Sequence, residues 1–287
     1  MAKWNESEHP RDDDGKFTDG NGSRWTTSKR DYSNVQGVEA QRVFDEAKQL
    51  GIDTKGIDNL DVIKAKVAEK RKEVEFEQSF FDKAKEIANK FESPKPNYQH
   101  GVEDVRLKSV LDELGYTKKP QKLSTADFAK EMQKGKLYFR GMSEQKYVDA
   151  FYNGDCFIGQ GLSGNGIYLT EDASEAYSNY GKGSKDNIAF CIIGDDMRIA
   201  GAKERNEYRA LMSSYYDEKL QSVKKRGDNA ELTEFFRIRD EMTYALYLAM
   251  RGFDGYTGLK ATNIVLLNRG KVKVGENPNE IKRFFIK

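Results

Sequence analysis

The chain has 287 residues, enough for one large domain or two smaller ones. Its 48 basic and 47 acidic residues give a net charge of +1, which does not indicate a general attraction to nucleic acid or anionic lipid. No run approaches roughly 18 apolar residues, and the first residues lack an apolar signal region. We therefore expect neither a membrane span nor a secretory signal. Cys156 and Cys191 lie in apolar stretches without metal-type spacing, so we expect reduced, buried thiols.

Residues 1–38 are rich in Asp, Gly, Ser and Lys, which predicts a disordered or extended arm. Within this arm, the stretch from Trp4 to Thr18 resembles a short signature of head and structural proteins of tailed phages. The resemblance implies a phage or prophage protein that acts in the cytoplasm of a bacterial host. It also implies association with phage structural proteins or the virion.

Residues 39–92 are predicted to form a small helical region. Apolar residues recur at helical spacing in two segments separated by a Gly-Ile-Asp link: Val43, Ala47 and Leu50, then Leu60, Ile63 and Val67. This arrangement weakly resembles SAP-like and helix-extension-helix modules, which often contact DNA. Because basic residues alternate with acidic ones here, a plain helical hairpin is the favoured interpretation over a DNA-binding module in 39–72.

A third apolar stripe predicts a helix that ends before a domain boundary. Phe80, Ala84, Ile87 and Phe91 recur at steps of four, three and four, and two prolines in 93–96 then stop the helix. We place the start of the next domain at residue 97. Further helices are predicted around 107–114, with Gly115 as C-terminal stop, and from 125 onward, with Ser124 or Thr125 as N-cap.

The sequence pattern changes after Gly135, because short apolar runs typical of strands now alternate with helical patterns. The irregular spacing of strands and helices indicates an α+β domain over 97–287. The predicted strands cover 137–140, 167–169, 188–193, 264–267 and 272–274, and the predicted helices cover 143–152, 172–180, 202–225 and 230–250.

The residues suited to chemistry form an ordered series in this domain. No P-loop or Rossmann glycine pattern occurs. Instead, a strand ends in Arg140-Gly141, and a loop with four glycines in eight residues, 159–166, precedes the next strand. An arginine offers a bidentate fork to a pyrophosphate, glycines permit close approach of the backbone to a ligand, and tyrosine rings offer stacking faces. The tyrosines that follow the loop are Tyr168, Tyr177 and Tyr180.

This series resembles the ADP-ribosyltransferase superfamily. The run 137–141, ending in Arg140-Gly141, is similar to the first family motif in its toxin-like branch. The run 164–170 is similar to the Gly-Ile-Tyr motif of the polymerase branch and to the Gly-Asn-Gly form of phage members. The resemblance covers about half of the chain. It implies a split β-sheet core with flanking helices, NAD as co-substrate, and no metal.

The resemblance also implies roles for individual residues. Arg140 would hold the dinucleotide with support from Thr170, and Gly141 would contact the nicotinamide through its backbone. Tyr168 and either Tyr177 or Tyr180 would sandwich the ring, and the sequence does not decide between the last two. The cofactor-binding set is completed by the loop residues Gly161, Asn165 and Gly166.

The third family motif departs from the pattern. Family members carry a catalytic Glu before a late strand, but here Thr262 stands immediately before that strand. The nearest acids are Asp254, in a loop flanked by glycines and aromatics, and Glu241, which on a helix is better read as a solvated or paired charge. Three interpretations stay open: Asp254 supplies the acid, the domain binds NAD with weak or no transfer, or Thr262 is not the equivalent position.

The resulting prediction is an NAD-dependent ADP-ribosyltransferase. Its reaction would cleave the nicotinamide–ribose bond and transfer one ADP-ribose to a host protein or nucleic acid. The main alternative is a phage structural protein that keeps the fold with weak or no activity. The other alternative is a DNA-binding phage protein acting through 39–72.

Overall fold

In a computed structural model of the chain, the structure describes residues 35–97, 99 and 101–285. Most of the predicted arm, including the signature from Trp4 to Thr18, lies outside the described residues. The first described helix begins at Val35, so residues 35–38 are helical although the sequence assigned them to the arm. The chain forms two compact units, which we call the N-terminal unit (Met1–Glu77) and the C-terminal unit (Gln78–Lys287).

The N-terminal unit contains helix α1 (Val35–Gln49) and the first part of helix α2 (Leu60–Lys90). The predicted apolar positions do meet here, since Ala47, Ile63 and Val67 are buried together. The intervening link turns at Gly51, whose φ of 68° is a conformation that glycine adopts without strain. A small helical hairpin therefore agrees with the prediction for this region.

Helix α2 is longer than predicted. It runs without a break through residues that the sequence divided between two helices, because no glycine or proline occurs between Leu60 and Lys90. The boundary between the compact units consequently falls inside this helix, between Glu77 and Gln78, and not at the predicted position in 93–96. The prolines there do follow the helix end, as expected.

The predicted helices of the C-terminal unit are present with small shifts at their ends, and Pro278–Phe285 forms a further helix that the sequence did not predict. The predicted helix over 230–250 is two helices, because Thr243 interrupts it and caps the second by accepting a bond from the Leu246 amide at 3.2 Å. A π-helical turn, Ala176–Tyr180, continues α6. The bounds are α3 Val105–Glu113, α4 Thr125–Met132, α5 Gln145–Asn153, α6 Ala173–Glu175, α7 Ala202–Arg226, α8 Asn229–Glu241, α9 Tyr244–Met250 and α10 Pro278–Phe285.

Within the described residues, eight strands form one open, mixed sheet in the order β1-β8-β4-β2-β3-β7-β6-β5. The edge pairs β1–β8 and β5–β6 are parallel and the others antiparallel. Helices combined with this sheet agree with the predicted α+β class. The strands are β1 Gln121–Leu123, β2 Lys136–Gly141, β3 Ile167–Thr170, β4 Ile188–Ile193, β5 Ile199–Ala200, β6 Gly255–Thr257, β7 Asn263–Leu266 and β8 Lys273–Gly275.

The sheet consists of two four-stranded halves that meet between β2 and β3. Six residue pairs join β2 to β4, and four join β3 to β7. By contrast, Phe139 and Thr170 are the one paired position found between β2 and β3 in the described part of the chain. Phe139 also belongs to a core cluster that contains Phe128 and Phe190. This junction lies directly beside Arg140.

Candidate functional site

Arg140 lies near the end of β2, in the middle of the sheet. Its side chain is partly buried. Among the described residues, the one partner found for its guanidinium is the carbonyl oxygen of Tyr168, 3.5 Å from Nη1. An arginine has five N–H donors, and this bond to the protein engages one of them within the described residues.

Two buried arginines of this unit, Arg269 and Arg106, have several hydrogen-bond partners each. Arg269 is 3% exposed and donates to the carbonyls of five residues: Thr117, Lys118, Ala150, Phe151 and Gly154. Arg106 is 7% exposed, pairs with Glu241 at 2.5 Å, and also donates to the carbonyl of Ser93 at 2.8 Å. Buried cations are normally compensated in this way. Arg140 is the exception among these three.

The electrostatic environment of Arg140 is correspondingly unfavourable. Burial lowers the pKa of its guanidinium from 12.5 to about 10. Burial also raises the pKa of the nearby Cys191 thiol to about 12 and raises the pKa of the Cys156 thiol. Both thiols are free, buried and therefore neutral near pH 7. Arg140 remains charged at that pH, and neither neighbouring thiol neutralises it.

Gly141, Thr170 and the tyrosines Tyr177 and Tyr180 lie on the other face of the sheet. Thr170 pairs with Phe139, and consecutive residues of a strand point to opposite faces, so Thr170 and Arg140 point apart. A Cβ on Gly141 would lie 2.0 Å from the carbonyl oxygen of Ala176 and 2.6 Å from Cβ of Tyr180. The helix after β3 therefore packs directly on Gly141.

The two tyrosines of this helix differ in exposure. Tyr177 packs against the core cluster around Phe139, whereas Tyr180 is 49% exposed. Only a ring with an accessible face can stack on a ligand. Of the two alternatives left by the sequence, Tyr180 has the accessible ring, but it lies on the face opposite to Arg140.

Thr170 does not support Arg140 as predicted, because its hydroxyl is used elsewhere. Its Oγ1 donates to Glu175 at 3.0 Å and accepts from the Asp172 amide at 3.1 Å. Glu175 is 8% exposed and also pairs with Lys260. The hydrogen bond from Lys260 lowers the pKa of the Glu175 carboxyl, which is therefore ionised at neutral pH.

The glycines of the 159–166 loop are required by the protein's own side chains. A Cβ on Gly161 would lie 2.0 Å from the hydroxyl of Tyr168, and one on Gly164 would lie 2.4 Å from the hydroxyl of Tyr256. The Tyr168 hydroxyl in turn donates to the Gly164 carbonyl at 2.5 Å. The close backbone approach that the sequence suggested is made here by tyrosines, and Tyr168 is held under its own loop.

The remaining loop residues are also engaged within the protein. Asn165 donates from Nδ2 to the buried carboxylate of Asp104. Gly166 has a φ of 155° and exchanges backbone bonds of 2.9 and 3.0 Å with Gly159. A Cβ on Gly166 would lie 2.5 Å from Val265, so the hairpin packs closely on β7.

Asp254 is not near Thr262, the other residue considered for the acid position. It precedes β6 and lies beside Leu267, just after β7, whereas Thr262 lies just before β7. The four residues of β7 separate these two positions by roughly 13 Å. It is 1% exposed and binds three donors: the Arg198 amide at 2.9 Å, Asn268 at 2.7 Å and Lys271 at 2.9 Å. Its geometry is that of a structural carboxylate. Glu241 is paired, as expected, but buried at 3% exposure instead of lying at the surface.

Thr262 is exposed and lies beside Glu171, a residue that the sequence did not single out. The Glu171 amide donates to the Thr262 carbonyl at 2.9 Å. The Glu171 carboxylate accepts from the Tyr138 hydroxyl at 2.8 Å and pairs with Lys136 at 3.2 Å. Burial and the bond to Glu171 raise the pKa of Tyr138, so this phenol keeps its proton. Sequence reasoning missed these neighbours because only the strand register brings them together.

Surface depressions occur elsewhere. One with a volume of about 170 Å³ is lined by α5 and the start of α10, including Tyr152 and Pro278. Another of about 190 Å³ lies in the N-terminal unit beside Ile52 and Lys66. Neither is lined by a predicted site residue.

Comparison with protein-family models, curated proteins and solved structures finds no match for this chain. In the part of the chain that the structure describes, no helix is long and apolar enough to cross a membrane. Among the same residues, no group of three or more His, Cys, Asp or Glu side chains could hold a metal ion. The site geometry is therefore the basis for assigning a function.

Proposed function

We propose that the C-terminal unit is an ADP-ribosyltransferase-like domain that binds NAD through Arg140. The observation that carries this proposal is the charged, partly buried guanidinium of Arg140, for which one long hydrogen bond, to Tyr168, is found among the described residues. A buried cation without a counter-charge is costly unless it binds an anion. A pyrophosphate would supply that charge and fit the planar fork of the arginine.

The arrangement of the strands supports the same proposal. The strands that carry the three sequence motifs, β2, β3 and β7, are direct neighbours in the sheet. The sheet also has two halves that meet at one paired position, which suits the split core implied by the family resemblance. Motifs distant in sequence thus lie around one point in the fold.

The reaction that we propose is cleavage of the nicotinamide–ribose bond of NAD and transfer of ADP-ribose. The stacking that the resemblance implies for Tyr180 is not part of this proposal, because Tyr180 lies on the face of the sheet opposite to Arg140. The acceptor would be a protein or nucleic acid of a bacterial host, with the protein itself encoded by a phage or prophage. NAD acts here as co-substrate, and the fit of Arg140 to its pyrophosphate needs no metal.

A second candidate is a domain that binds NAD without transferring ADP-ribose. Two observations favour it. Thr262 stands at the position where the family carries Glu, and the carboxylate of Asp254 accepts hydrogen bonds from three groups of the protein. In this case Arg140 would keep its role and the chain would serve as a phage structural or binding protein.

Calorimetric titration with NAD, together with label transfer from NAD in bacterial lysate, tests both candidates. Arg140→Met keeps an unbranched apolar stem, shortens the side chain, and removes the charge with its donors. Because charge-assisted hydrogen bonds contribute about 1.5–3 kcal/mol, we expect affinity for NAD to fall by at least about tenfold. Arg237→Met is the matched control, since this half-buried arginine binds Glu234 and the Ala88 carbonyl away from the site.

The outcomes separate the candidates. Binding together with label transfer supports the transferase, and binding without transfer supports the second candidate. Absence of NAD binding by the wild-type chain, or equal binding by Arg140→Met, would overturn the assignment of Arg140.

A further inference from the structure

We infer that Glu171, at the end of strand β3, is the carboxylate that acts on the ribose in the proposed reaction, in place of an acid before the late strand. This inference rests on the proposed binding of NAD by Arg140. It assigns a catalytic residue that the motifs do not identify.

The position of Glu171 follows from the strand register. Its amide bonds to the carbonyl of Thr262, so the two residues are neighbours across the β3–β7 pair. Cross-strand neighbours point to the same face and have Cβ atoms roughly 5 Å apart. The carboxylate thus lies one strand away from the place where the resemblance expects one.

Glu171 also faces the same side of the sheet as Arg140. Its neighbour Thr170 pairs with Phe139, so alternation places Glu171 on the face of Tyr138 and Arg140. The 2.8 Å hydrogen bond between the Tyr138 hydroxyl and Glu171 agrees with this placement. A dinucleotide whose pyrophosphate binds Arg140 can therefore extend its ribose towards Glu171 on one face.

The carboxylate is anchored through one oxygen only. Oε1 accepts from Tyr138 and from Lys136, whereas no partner is found for Oε2 among the described residues. The side chain is 33% exposed, and Lys136 is 71% exposed. One oxygen is held in place and the other is open to a ligand, which is the geometry that a positioned general base requires.

The other acids near the motifs lack these features. Asp254 is 1% exposed with three donors, and Glu175 is 8% exposed and tied to Thr170 and Lys260. Glu175 also lies on the face of Thr170, which is opposite to the face of Arg140. Glu171 combines exposure, a free oxygen and the face of Arg140.

The step that Glu171 would assist is balanced as follows. The bond between C1′ of the ribose and the nicotinamide nitrogen breaks, and its electron pair leaves with neutral nicotinamide. The positive charge that develops on the ribose is stabilised by the carboxylate. A hydroxyl or water oxygen forms the new bond to C1′ and gives its proton to Glu171, which releases it to solvent.

The experiment compares Glu171→Gln with Glu131→Gln in the full chain. Glu131 is a suitable control because its side chain is 25% exposed and also pairs with lysines, Lys273 and Lys134. NAD binding is measured by calorimetry, and release of nicotinamide is measured at saturating NAD over pH 5–9. Glu171→Ala is assayed with and without added formate, which can replace a missing carboxylate.

We expect Glu171→Gln to keep NAD affinity within about threefold while turnover falls by at least about 100-fold. Formate should restore part of the turnover of Glu171→Ala, and a merely structural ion pair would not respond in this way. Turnover of Glu171→Gln within about threefold of wild type would overturn the inference. NAD binding by wild type without any turnover would also overturn it but leave the Arg140 site standing, whereas absence of NAD binding would reject both.

Discussion

Replacing Arg140 by Met should increase the stability of the protein, although it should abolish the proposed activity. The reason is that Arg140 is partly buried and charged, yet has one hydrogen bond of 3.5 Å. Methionine fills a similar volume with apolar atoms and carries no charge to desolvate. Function and stability are thus expected to respond in opposite directions at this residue.

The magnitude follows from the pKa of Arg140. Burial lowers that pKa from 12.5 to about 10, and at about 1.4 kcal/mol for each tenfold change the charged form is destabilised by roughly 3 kcal/mol. For a base with a depressed pKa, this penalty is fully present below about pH 10 and is relieved as the pH rises towards 12.5. Allowing for the lost hydrogen bond, we expect Arg140→Met to raise the unfolding free energy at pH 7 by about 1–2 kcal/mol.

Urea denaturation followed by circular dichroism measures this change, with Arg269→Met as the comparison. Arg269 donates to five carbonyls, so its removal leaves buried acceptors unsatisfied and should lower the unfolding free energy by about 3–5 kcal/mol. A loss of more than about 1 kcal/mol in Arg140→Met would refute the view that Arg140 is an uncompensated cation.

Three further substitutions test the local geometry. Gly161→Ala should destabilise the protein by about 1–3 kcal/mol, because its Cβ would lie 2.0 Å from the hydroxyl of Tyr168. Gly159→Ala should be tolerated, since the atom nearest to its Cβ is 3.5 Å away. Equal thermal midpoints of the two variants would contradict this contrast. Glu175→Gln should be less stable than wild type above pH 4.5, and this difference in unfolding free energy should shrink as the pH falls through the lowered pKa of Glu175. A difference that does not change with pH in acid titration would contradict a stabilising role of the ionised carboxylate. Tyr180→Ala should leave NAD affinity within about threefold of wild type, because Tyr180 lies on the face opposite to Arg140, while Tyr177→Ala should mainly destabilise. A loss of NAD affinity of about tenfold in Tyr180→Ala, measured by calorimetry, would contradict this placement.

Local patterns in the sequence were sufficient for most of the helices and for the longer strands. The stripe from Phe80 to Phe91 and the apolar run 188–193 are continuous signals, and the structure has a helix and a strand there. The strands β1, β5 and β6 have only two or three residues, which is too short for an alternating pattern. Their pairing depends on partners far away in the sequence.

The site was less accessible to sequence reasoning for the same physical reason. The sequence predicted that the loop glycines, Gly161 among them, let the backbone approach a ligand, whereas the close neighbour of Gly161 in the structure is the side chain of Tyr168. Likewise, Glu171 follows a strand motif without belonging to it. Its relation to Thr262 and Arg140 exists only through the pairing of three strands.

The junction between the two halves of the sheet lies between Arg140 and Glu171, the two residues of the proposed site. Arg140 follows Phe139 and Glu171 follows Thr170, so the two residues flank the position where the halves pair. Strands that continued to pair would bring their backbones to roughly 5 Å along their whole length. In the described residues, the pairing found between β2 and β3 is confined to one position. In the proposed complex, an anion held by Arg140 and a sugar beside Glu171 would lie on one face of the sheet at this junction.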